Sequence, residues 1–445
     1  MGEPVQPAQM PSFGETTRTF AKIGVLSFGG PAGQIALMHR IIVDEKRWLN
    51  EPRFLHALNY CMLLPGPEAM QLAAYIGWLL HGVKGGLVAG LLFLLPGATI
   101  LIALSTVYLL LGEVTIVQGL LFGLKAAVLA VVLEALIKVS RRALKSGWMV
   151  VLAIAAFLGI AFLHVPFPVV VLSAAVIGAG VHLATQTSVA NQDDTLDELT
   201  LPEWARPSWA RFLGTTAIWL AIWFVPLLAL YVTLGGGSVY TQEASFFSVM
   251  AAVTFGGAYA VLAYVAQQAV EVYGWLRPDE MLTGLGLAET TPGPLILVLV
   301  FVGFLGGARL SGFEPVTGGI AGAIVTLWFT FVPCFLWIFA GAPYVERVRN
   351  VRWLASALAA VTAAVVGVIA NLALWFAMHV LFTQITDVRA GPLVFPVPEL
   401  ATFDYAAAII AIVAGVALIP LHANIFLVLA GAALAGVALA GLSPG

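Results

Sequence analysis

Two short proline- and glycine-rich motifs interrupt apolar stretches of the chain, and each motif occurs twice. The first copy has Phe28-Gly29-Gly30-Pro31 and Pro65-Gly66-Pro67, and the second has Phe255-Gly256-Gly257 and Pro292-Gly293-Pro294. Proline removes a backbone donor and glycine permits positive φ, so each motif is expected to interrupt a helix. The helix that begins after each interruption directs unpaired N–H groups and a positive dipole end into the gap. Four such starts predict a site that binds a small anion with few basic side chains.

Ionisable and hydroxyl residues near these motifs complete the predicted site. Glu68 follows the first Pro-Gly-Pro motif and Glu289 precedes the second, and carboxylates inside a membrane are costly and usually functional. Either carboxylate could exchange a proton and couple anion movement to a proton gradient. Lys125 lies within an apolar segment and could attract the anion. The predicted substrate-binding residues are Ser27, Gly29, Gly30, Gly66, Glu68, Lys125, Gly256, Gly257, Glu289, Thr290, Thr291 and Gly293.

Each of these residues also has an ordinary structural explanation. The glycines and prolines could kink packed helices, Glu68 could stabilise a helix start, and Glu289 could form a structural hydrogen bond. Lys125 could pair with a carboxylate, and Glu134 with Lys138 has the spacing of a local ion pair. Several GxxxG patterns indicate close helix packing. Four interruptions in duplicated register favour the functional interpretation of the motifs.

Catalytic and cofactor motifs are absent from the sequence. It contains no nucleophile–base set, phosphate-binding loop, dinucleotide fingerprint or metal-ligand spacing, so we expect no enzyme, cofactor or metal. Cys61 and Cys334 lie in separate apolar segments, and no structural disulfide is expected. The formal net charge of −3 indicates no nucleic-acid partner.

The composition indicates a membrane protein. Of 445 residues, 61% are hydrophobic and only 10% are charged, whereas soluble domains carry roughly a quarter charged residues. Apolar runs of about twenty residues, long enough to cross a bilayer as helices, recur along the whole chain. We therefore predict an all-α polytopic membrane protein, that is, one that makes multiple passes through a membrane.

The two motif copies mark a duplication. A constant offset of 227 residues aligns 28–67 with 255–294, and twelve of the forty aligned residues are identical. This alignment predicts a first repeat at 1–186, a polar linker at 187–211, an extra transmembrane helix at 212–240 and a second repeat at 241–445.

Basic residues predict the orientation of the two repeats, because Lys and Arg concentrate in cytoplasmic loops. In the first repeat they cluster at 39–53 and 138–145, and the loop at 112–119 has none. In the second repeat they cluster at 347–352, whereas 271–280 has one Arg and three acids. The two repeats are therefore expected to lie in inverted topology, as in many secondary transporters.

The first two interrupted elements of each repeat could either cross the membrane or re-enter as hairpins. Each arm is about 11–15 residues long, roughly 17–22 Å at helical rise, which is short for a full span. The cytoplasmic placement of the basic loop 39–53 also favours hairpins that turn at the Gly-Gly-Pro and Pro-Gly-Pro motifs.

A wider set of residues carries a family resemblance. In the first copy the set is Phe28-Gly29-Gly30-Pro31, Trp48-Leu49, Leu64-Pro65-Gly66-Pro67-Glu68, Gln71-Leu72-Ala73 and Pro96. In the second it is Phe255-Gly256-Gly257-Ala258-Tyr259 and Glu289-Thr290-Thr291-Pro292-Gly293-Pro294. With both copies present, the chain resembles a long, two-domain member of the chromate ion transporter (CHR) family.

This resemblance implies a secondary active transporter that exports chromate across the plasma membrane and gives chromate resistance. The implied partners are the oxyanion and the lipid bilayer, and a homo-oligomer is left open. Sulfate is a similar tetrahedral dianion, so a sulfate or other oxyanion transporter or exchanger is the alternative, and a non-transport membrane subunit is a more remote one. Ala258 replaces Pro31 in the second copy, which leaves open whether both copies contribute equally.

Overall fold

The computed structural model describes residues 10–185, 207–255, 257–344, 352–391 and 393–442. The first unit contains helices α1 (Phe13–Leu26), α2 (Gly30–His39), α3 (Glu51–Leu63), α4 (Glu68–Leu111), α5 (Thr115–Ala143), α6 (Gly147–Leu163) and α7 (Phe167–Thr185). Helix α8 (Trp209–Leu234) follows the predicted linker, most of which lies outside the described residues.

The second unit repeats this order of helices. It contains α9 (Val239–Val253), α10 (Ala258–Ala266), α11 (Pro278–Glu289), α12 (Val298–Leu310), α13 (Pro315–Gly341), α14 (Arg352–Leu381), α15 (Tyr405–Leu418) and α16 (Ile425–Leu442). Short π-helical segments, Arg40–Glu45 and Gln267–Val272, extend α2 and α10 at the same 227-residue offset. The duplication seen in the sequence thus extends to local backbone irregularities.

Six of the described helices are long and apolar enough to cross a membrane. Helix α8 is the clearest case, because Leu228 and Val232 are 62% and 73% exposed on its surface. Apolar side chains directed outward along a whole helix suit contact with lipid tails. The chain is therefore a multi-pass helical membrane protein.

The segment labelled α4 consists of two helical arms that form a hairpin. It reverses direction at Gly82 (φ 62°, ψ −153°), and the backbone of Gly77 on its first arm (68–80) contacts Gly85 on its second arm (83–111). A side chain at either glycine would collide with the opposing backbone. The first arm therefore returns toward the centre of the molecule, where α4 begins.

The interrupted segments of the second unit form similar pairs. At their outer ends Glu280 of α11 accepts two hydrogen bonds from Arg309 of α12, and further inward Gly284 contacts the ring of Phe301. These contacts make α11 and α12 antiparallel neighbours, with the Pro292-Gly293-Pro294 segment at the inner tip.

The later helices of each unit pack against the other unit. Helix α5 contacts α15 and α16, and α14 contacts α6 and α7. Gly123 of α5 lies against the Ala432 backbone, and Gly178 of α7 lies against Ala357. The prediction that GxxxG patterns mediate packing is thus confirmed at Gly119–Gly123, and the local ion pair of Glu134 with Lys138 is also confirmed, at 2.6 Å.

One element departs from the all-α prediction. An antiparallel hairpin of β1 (Ile385–Ala390) and β2 (Leu393–Pro398) lies between α14 and α15, and Gly391 in its turn has φ 64°. Ile385, Thr386 and Val388 in β1 and Val394 and Val397 in β2 are β-branched and favour strand pairing. The stretch is short and lies between two much longer apolar runs, so sequence reasoning did not separate it from them.

Candidate anion site at the helix interruptions

The inner tips of the two units are joined by two equivalent backbone hydrogen bonds. The amide of Gly66 donates to the Thr254 carbonyl at 2.9 Å, and the amide of Gly293 donates to the Ser27 carbonyl at 2.7 Å. The offset of 227 residues relates both donors and both acceptors. Each Pro-Gly-Pro tip of one unit therefore pairs with the other unit's first interruption.

These bonds change the expectation for two predicted ligands. Sequence reasoning treated the Gly66 and Gly293 amides as free donors to the anion, whereas both have backbone partners here. Backbone donors buried away from water require a partner, and the opposing tip provides it. The two glycines position the interruptions, and in this conformation their own N–H groups are occupied.

The surroundings of the two tip glycines are also related by the duplication. A Cβ on Gly66 (φ 123°) would lie 2.9 Å from the sulfur of Cys334, and one on Gly293 (φ 99°) would lie 3.8 Å from Gly97. The second unit has about ten more residues around 309–315, so beyond that point the offset becomes 237 and Gly97 on α4 matches Cys334 on α13. Positive φ and close neighbours both require glycine at these tips.

The Gly-Gly interruptions are more open. Gly29 and Gly30 have φ values of 85° and 71°, and Gly257 has φ 98°. Among the described residues, no non-adjacent atom lies within 4 Å of a Cβ placed on any of them. Gly256 lies outside the described residues. The space beside Gly29, Gly30 and Gly257 is where a small ion could approach the backbone.

All four helices that begin at the interruptions lack a side-chain cap. These are α2, α4, α10 and the 3₁₀ turn Leu295–Leu297 that precedes α12. Elsewhere, Ser12, Asn50 and Asp404 accept hydrogen bonds from the first turns of α1, α3 and α15. Uncapped helix starts retain unpaired N–H groups and a positive partial charge, which suit an anion.

The predicted hydroxyl ligands donate to their own helices. Ser27 Oγ donates to the Ile23 carbonyl at 2.7 Å, and both Thr290 and Thr291 donate to the Leu287 carbonyl. Hydroxyls next to a helix end commonly bond back in this way. Each hydroxyl would have to rotate before it could donate to an ion.

Two buried glutamines also lie at the tips. Gln34 Nε2 donates to the Gly293 carbonyl at 2.5 Å, and Gln71 Nε2 donates to the Pro65 carbonyl at 2.7 Å. The Oε1 atom of each has no partner among the described residues. Gln34 was missed by sequence reasoning, although a glutamine in an apolar segment three residues after Pro31 was a usable signal.

The two predicted carboxylates occupy different environments. Glu289 is buried at the end of α11 and accepts a 2.6 Å hydrogen bond from the hydroxyl of Tyr259, two residues after Gly257. Glu68 is half-buried in the first turn of α4, beside the Gly66 tip. Glu289 thus connects the two interruptions of its own unit, and Glu68 lies at one tip.

Lys125 lies apart from the interruptions. Its ammonium is 3.5 Å from Asp279, at the opposite end of α11 from Glu289. That separation is ten residues of helix, roughly 15 Å. Lys125 and Asp279 line a cavity of about 480 Å³ together with Tyr108, Glu113, Gln118, Arg277, Glu280, Thr283 and Arg309.

Glu280 is the central residue of this cavity's wall. Its side chain is fully buried and accepts hydrogen bonds from both Nη atoms of Arg309, from the Tyr108 hydroxyl at 2.9 Å and from the Arg277 amide at 2.8 Å. Below the cavity, Gly286 of α11 packs against Leu124 and Val128. An apolar layer thus separates the cavity from the interruptions.

The residues that the structure brings together at the interruptions are mostly uncharged. Within the described residues, no group of three or more His, Cys, Asp or Glu could hold a metal. The central features are backbone dipoles, amide side chains and one hydrogen-bonded carboxylic group.

Comparison with known proteins agrees with the architecture. A family model described as "Chromate transporter" matches residues 14–179 and 241–437, one match in each unit. A "Probable chromate transport protein" of Synechococcus elongatus is 28% identical over 81% of this chain and 83% of its own length. A "Chromate transport protein" of Pseudomonas aeruginosa is 32% identical over 80% of this chain and 79% of its own, and one of Cupriavidus metallidurans is 26% identical over 79% of each.

No solved structure matches the chain. The matches span both units and most of the length of these relatives. On this basis the chain belongs to the chromate transporter family.

Proposed function

We propose that this protein is a secondary active transporter that exports chromate across the plasma membrane and thereby gives chromate resistance. The observation that carries the proposal is the pairing of the two units' tips, Gly66 with Thr254 and Gly293 with Ser27, between four uncapped helix starts. Irregular backbone at membrane depth must line a cavity or be buried in protein. Here no non-adjacent atom of the described residues lies within 4 Å of a Cβ placed on Gly29, Gly30 or Gly257, which would let a tetrahedral dianion approach the backbone.

An inverted arrangement of the two units is part of this proposal. The first unit's hairpins open at the end where Lys46 pairs with Glu15 and His81 contacts Thr16, which we call the first end. The second arm of α4 leads from there over roughly 40 Å of helix to Tyr108, which bonds Glu280 at the second end. Contacts at opposite ends support hairpins that enter from opposite sides of the membrane.

The distribution of charge supports a cytoplasmic position for the first end. Basic residues at 40–53 and 138–145 belong to that end, whereas the second end has Arg277 and Arg309 together with several acids. The cavity of about 480 Å³ then faces outward. The domain boundaries at 186, 211 and 240 remain predictions, because the linker lies mostly outside the described residues.

The direction of transport follows from membrane energetics. A negative-inside potential favours outward movement of each negative charge by about 2.3 kcal/mol per 100 mV. A proton gradient could add to this force through a carboxylate at the site, with Glu68 and Glu289 as the sequence-based candidates.

Radiolabelled chromate uptake into everted membrane vesicles tests the proposal. We expect uptake that requires the proton-motive force and stops when an uncoupler collapses it. Uptake no greater than in vesicles without the protein would overturn the chromate assignment.

Two controls separate the alternative functions. Suppression of uptake by excess sulfate would indicate a shared tetrahedral-anion site, and sulfate uptake without chromate uptake would make sulfate the substrate. Purified protein that moves no oxyanion in liposomes would favour a non-transport subunit. Oligomeric state is measured in the same preparation by light scattering.

A further inference from the structure

Glu243 is a buried carboxylate that the site described above does not include. It is the fifth residue of α9, and its side chain is 0% exposed. Neither of its oxygens has a hydrogen-bond partner among the described residues. By contrast, Glu280, the other fully buried glutamate in the second unit, has all its acceptor sites engaged.

The carboxylate occupies a small pocket where α9 meets α12 and α13. Its Oε1 lies 2.7 Å from the position of a Cβ on Gly306, and its Oε2 lies 3.2 Å from that of Gly322. The Cβ and Cγ atoms of Trp275 lie within 3.4 Å of the same Gly306 position. The two glycines therefore leave the space that the carboxylate fills.

Other polar atoms at this crossing also lack partners. Thr326 Oγ1, one helical turn beyond Gly322, and Trp275 Nε1 have no partner among the described residues. A cluster of polar groups without protein partners in an apolar helix crossing is uncommon, because each one costs free energy of folding. Glu243, Thr326 and Trp275 together make this crossing a polar cluster within the apolar interior.

Among the described residues, no opposite charge forms an ion pair with Glu243. On its own helix, Tyr240 is the nearest titratable group, and its hydroxyl donates to the Gly318 carbonyl. On α12, Arg309 is committed to Glu280 of α11. The segment before α11 contributes Tyr273 and Trp275, which stack on each other, and residues 318–326 of α13 include no ionisable side chain.

The corresponding position in the first unit is Thr16. Its hydroxyl hydrogen-bonds the Ser12 carbonyl at 3.1 Å and the His81 ring at 3.0 Å. A neutral, fully partnered residue therefore suffices to pack this position of the fold. Glutamate at the second-unit position is not required by the duplicated architecture.

A carboxylate without a partner in a low-dielectric interior takes up a proton, because the charged form is far more costly to bury. We propose that Glu243 is the proton-binding site of this transporter, protonated in the conformation described here and losing its proton to solvent when α9 separates from α12 and α13. This inference deepens the proposed transport function and depends on it for its role in coupling.

The location suits such a role. Glu243 lies about one helical turn inside the second end, the end proposed to face outward. A proton from outside would therefore reach Glu243 without crossing the apolar layer at Gly286. The anion would be held at the interruptions, so the two ligands occupy separate places.

The test compares Glu243→Gln with the exposed-site control Glu399→Gln in proteoliposomes. Chromate accumulation driven by an imposed pH gradient should be lost in Glu243→Gln and stay at the wild-type level in Glu399→Gln. Chromate–chromate exchange moves no net proton. In Glu243→Gln, the rate of pH-driven chromate accumulation should therefore fall by at least about tenfold more than the rate of exchange. Equal falls in the two rates, or no fall in either, would overturn the coupling role.

Infrared difference spectroscopy on purified protein gives a measurement that does not need transport. The wild type should show the C=O stretch of a protonated carboxylic acid that disappears in Glu243→Gln and persists in Glu399→Gln. An identical band in all three proteins would overturn the protonation of Glu243. Wild type that exchanges no chromate would overturn the proposed function, while the infrared result would still decide whether Glu243 binds a proton.

Discussion

The two ends of the molecule are held together by different side-chain interactions. At the first end, Lys46 and Glu15 form an ion pair at 2.8 Å with side chains 40% and 43% exposed. At the second end, Arg309 and Tyr108 bond a fully buried Glu280. Exposed pairs contribute about 0–1 kcal/mol, whereas removing one partner of a buried pair costs roughly 3–5 kcal/mol.

The difference shows what the duplication preserved and what it did not. The 227-residue register preserves helix ends, π-helical segments and the paired backbone bonds at the tips. In the same register, Glu280 corresponds to Arg53 and Arg309 corresponds to Gly82. The two units therefore share their backbone geometry, and side chains give each end its own character.

The largest expected effect comes from breaking what the units share. Gly66→Leu and Gly293→Leu should each abolish chromate transport, because the side chain requires an unfavourable positive φ and occupies the space beside the opposing tip. Vesicle uptake measures the loss, and immunoblots of membranes show that the protein is present.

Gly391→Leu is the matched control for those variants. Gly391 also has positive φ but lies in the exposed β-turn with no neighbour within 4 Å among the described residues. The Gly391→Leu variant should transport chromate at the wild-type rate. Normal flux in either tip variant would contradict the shared anion site, and loss in only one would show that the two copies contribute unequally.

The next effect concerns what the ends do not share. Arg309→Met should destabilise the protein by roughly 3 kcal/mol, because it leaves the buried Glu280 without its main partner. Lys46→Met should change stability by less than about 1 kcal/mol. Denaturant titration in detergent measures both, and equal effects would remove the distinction between the ends.

A smaller effect is expected at Glu289. If this carboxylate takes part in proton exchange, Glu289→Gln should flatten the pH dependence of transport, and Tyr259→Phe should shift it, because Tyr259 donates to Glu289. Initial uptake rates across a pH series measure the profile. A wild-type profile in both variants would leave Glu289 with a structural role.

The smallest effect on activity is expected from single-cysteine variants, which test the orientation of the two units in the membrane. Arg47→Cys and Arg349→Cys should react with a membrane-impermeant maleimide only from the cytoplasmic side, and Glu113→Cys only from outside. Transport should be nearly unchanged in all three. Labelling of Arg47→Cys and Arg349→Cys from opposite sides would contradict the inverted arrangement.

Much of the architecture was accessible from the sequence because proline and glycine act locally. Their positions, with the apolar runs between them, predicted the helix ends near Leu26, Leu63 and Glu289 to within a few residues. The register of the duplication required only pairwise identity. These signals depend on neighbouring residues and not on the tertiary structure.

The contents of the site depended on tertiary contacts and were harder to predict. The Gly66 amide looked free until the Thr254 carbonyl of the other unit lay beside it. The sequence could not show how far Lys125 lies from the tips. In the structure its ammonium pairs with Asp279, which lies at the end of α11 far from the tips. Glu243 was overlooked, since its isolation appears only once α12 and α13 surround it.

The paired bonds between the tips have a further consequence for how the protein can move. If the two units exchanged shapes, the same two bonds would form again with their roles exchanged, so both conformations would keep the junction between the tips. In that conformation the opening would lie at the first end. The register places Arg53, His56 and Thr362 where Glu280, Thr283 and Lys125 now line the cavity. A dianion would then meet Arg53 at the first end and the paired charges of Glu280 and Arg309 at the second, so its affinity would differ between the two openings while the membrane potential would still set the direction of net movement.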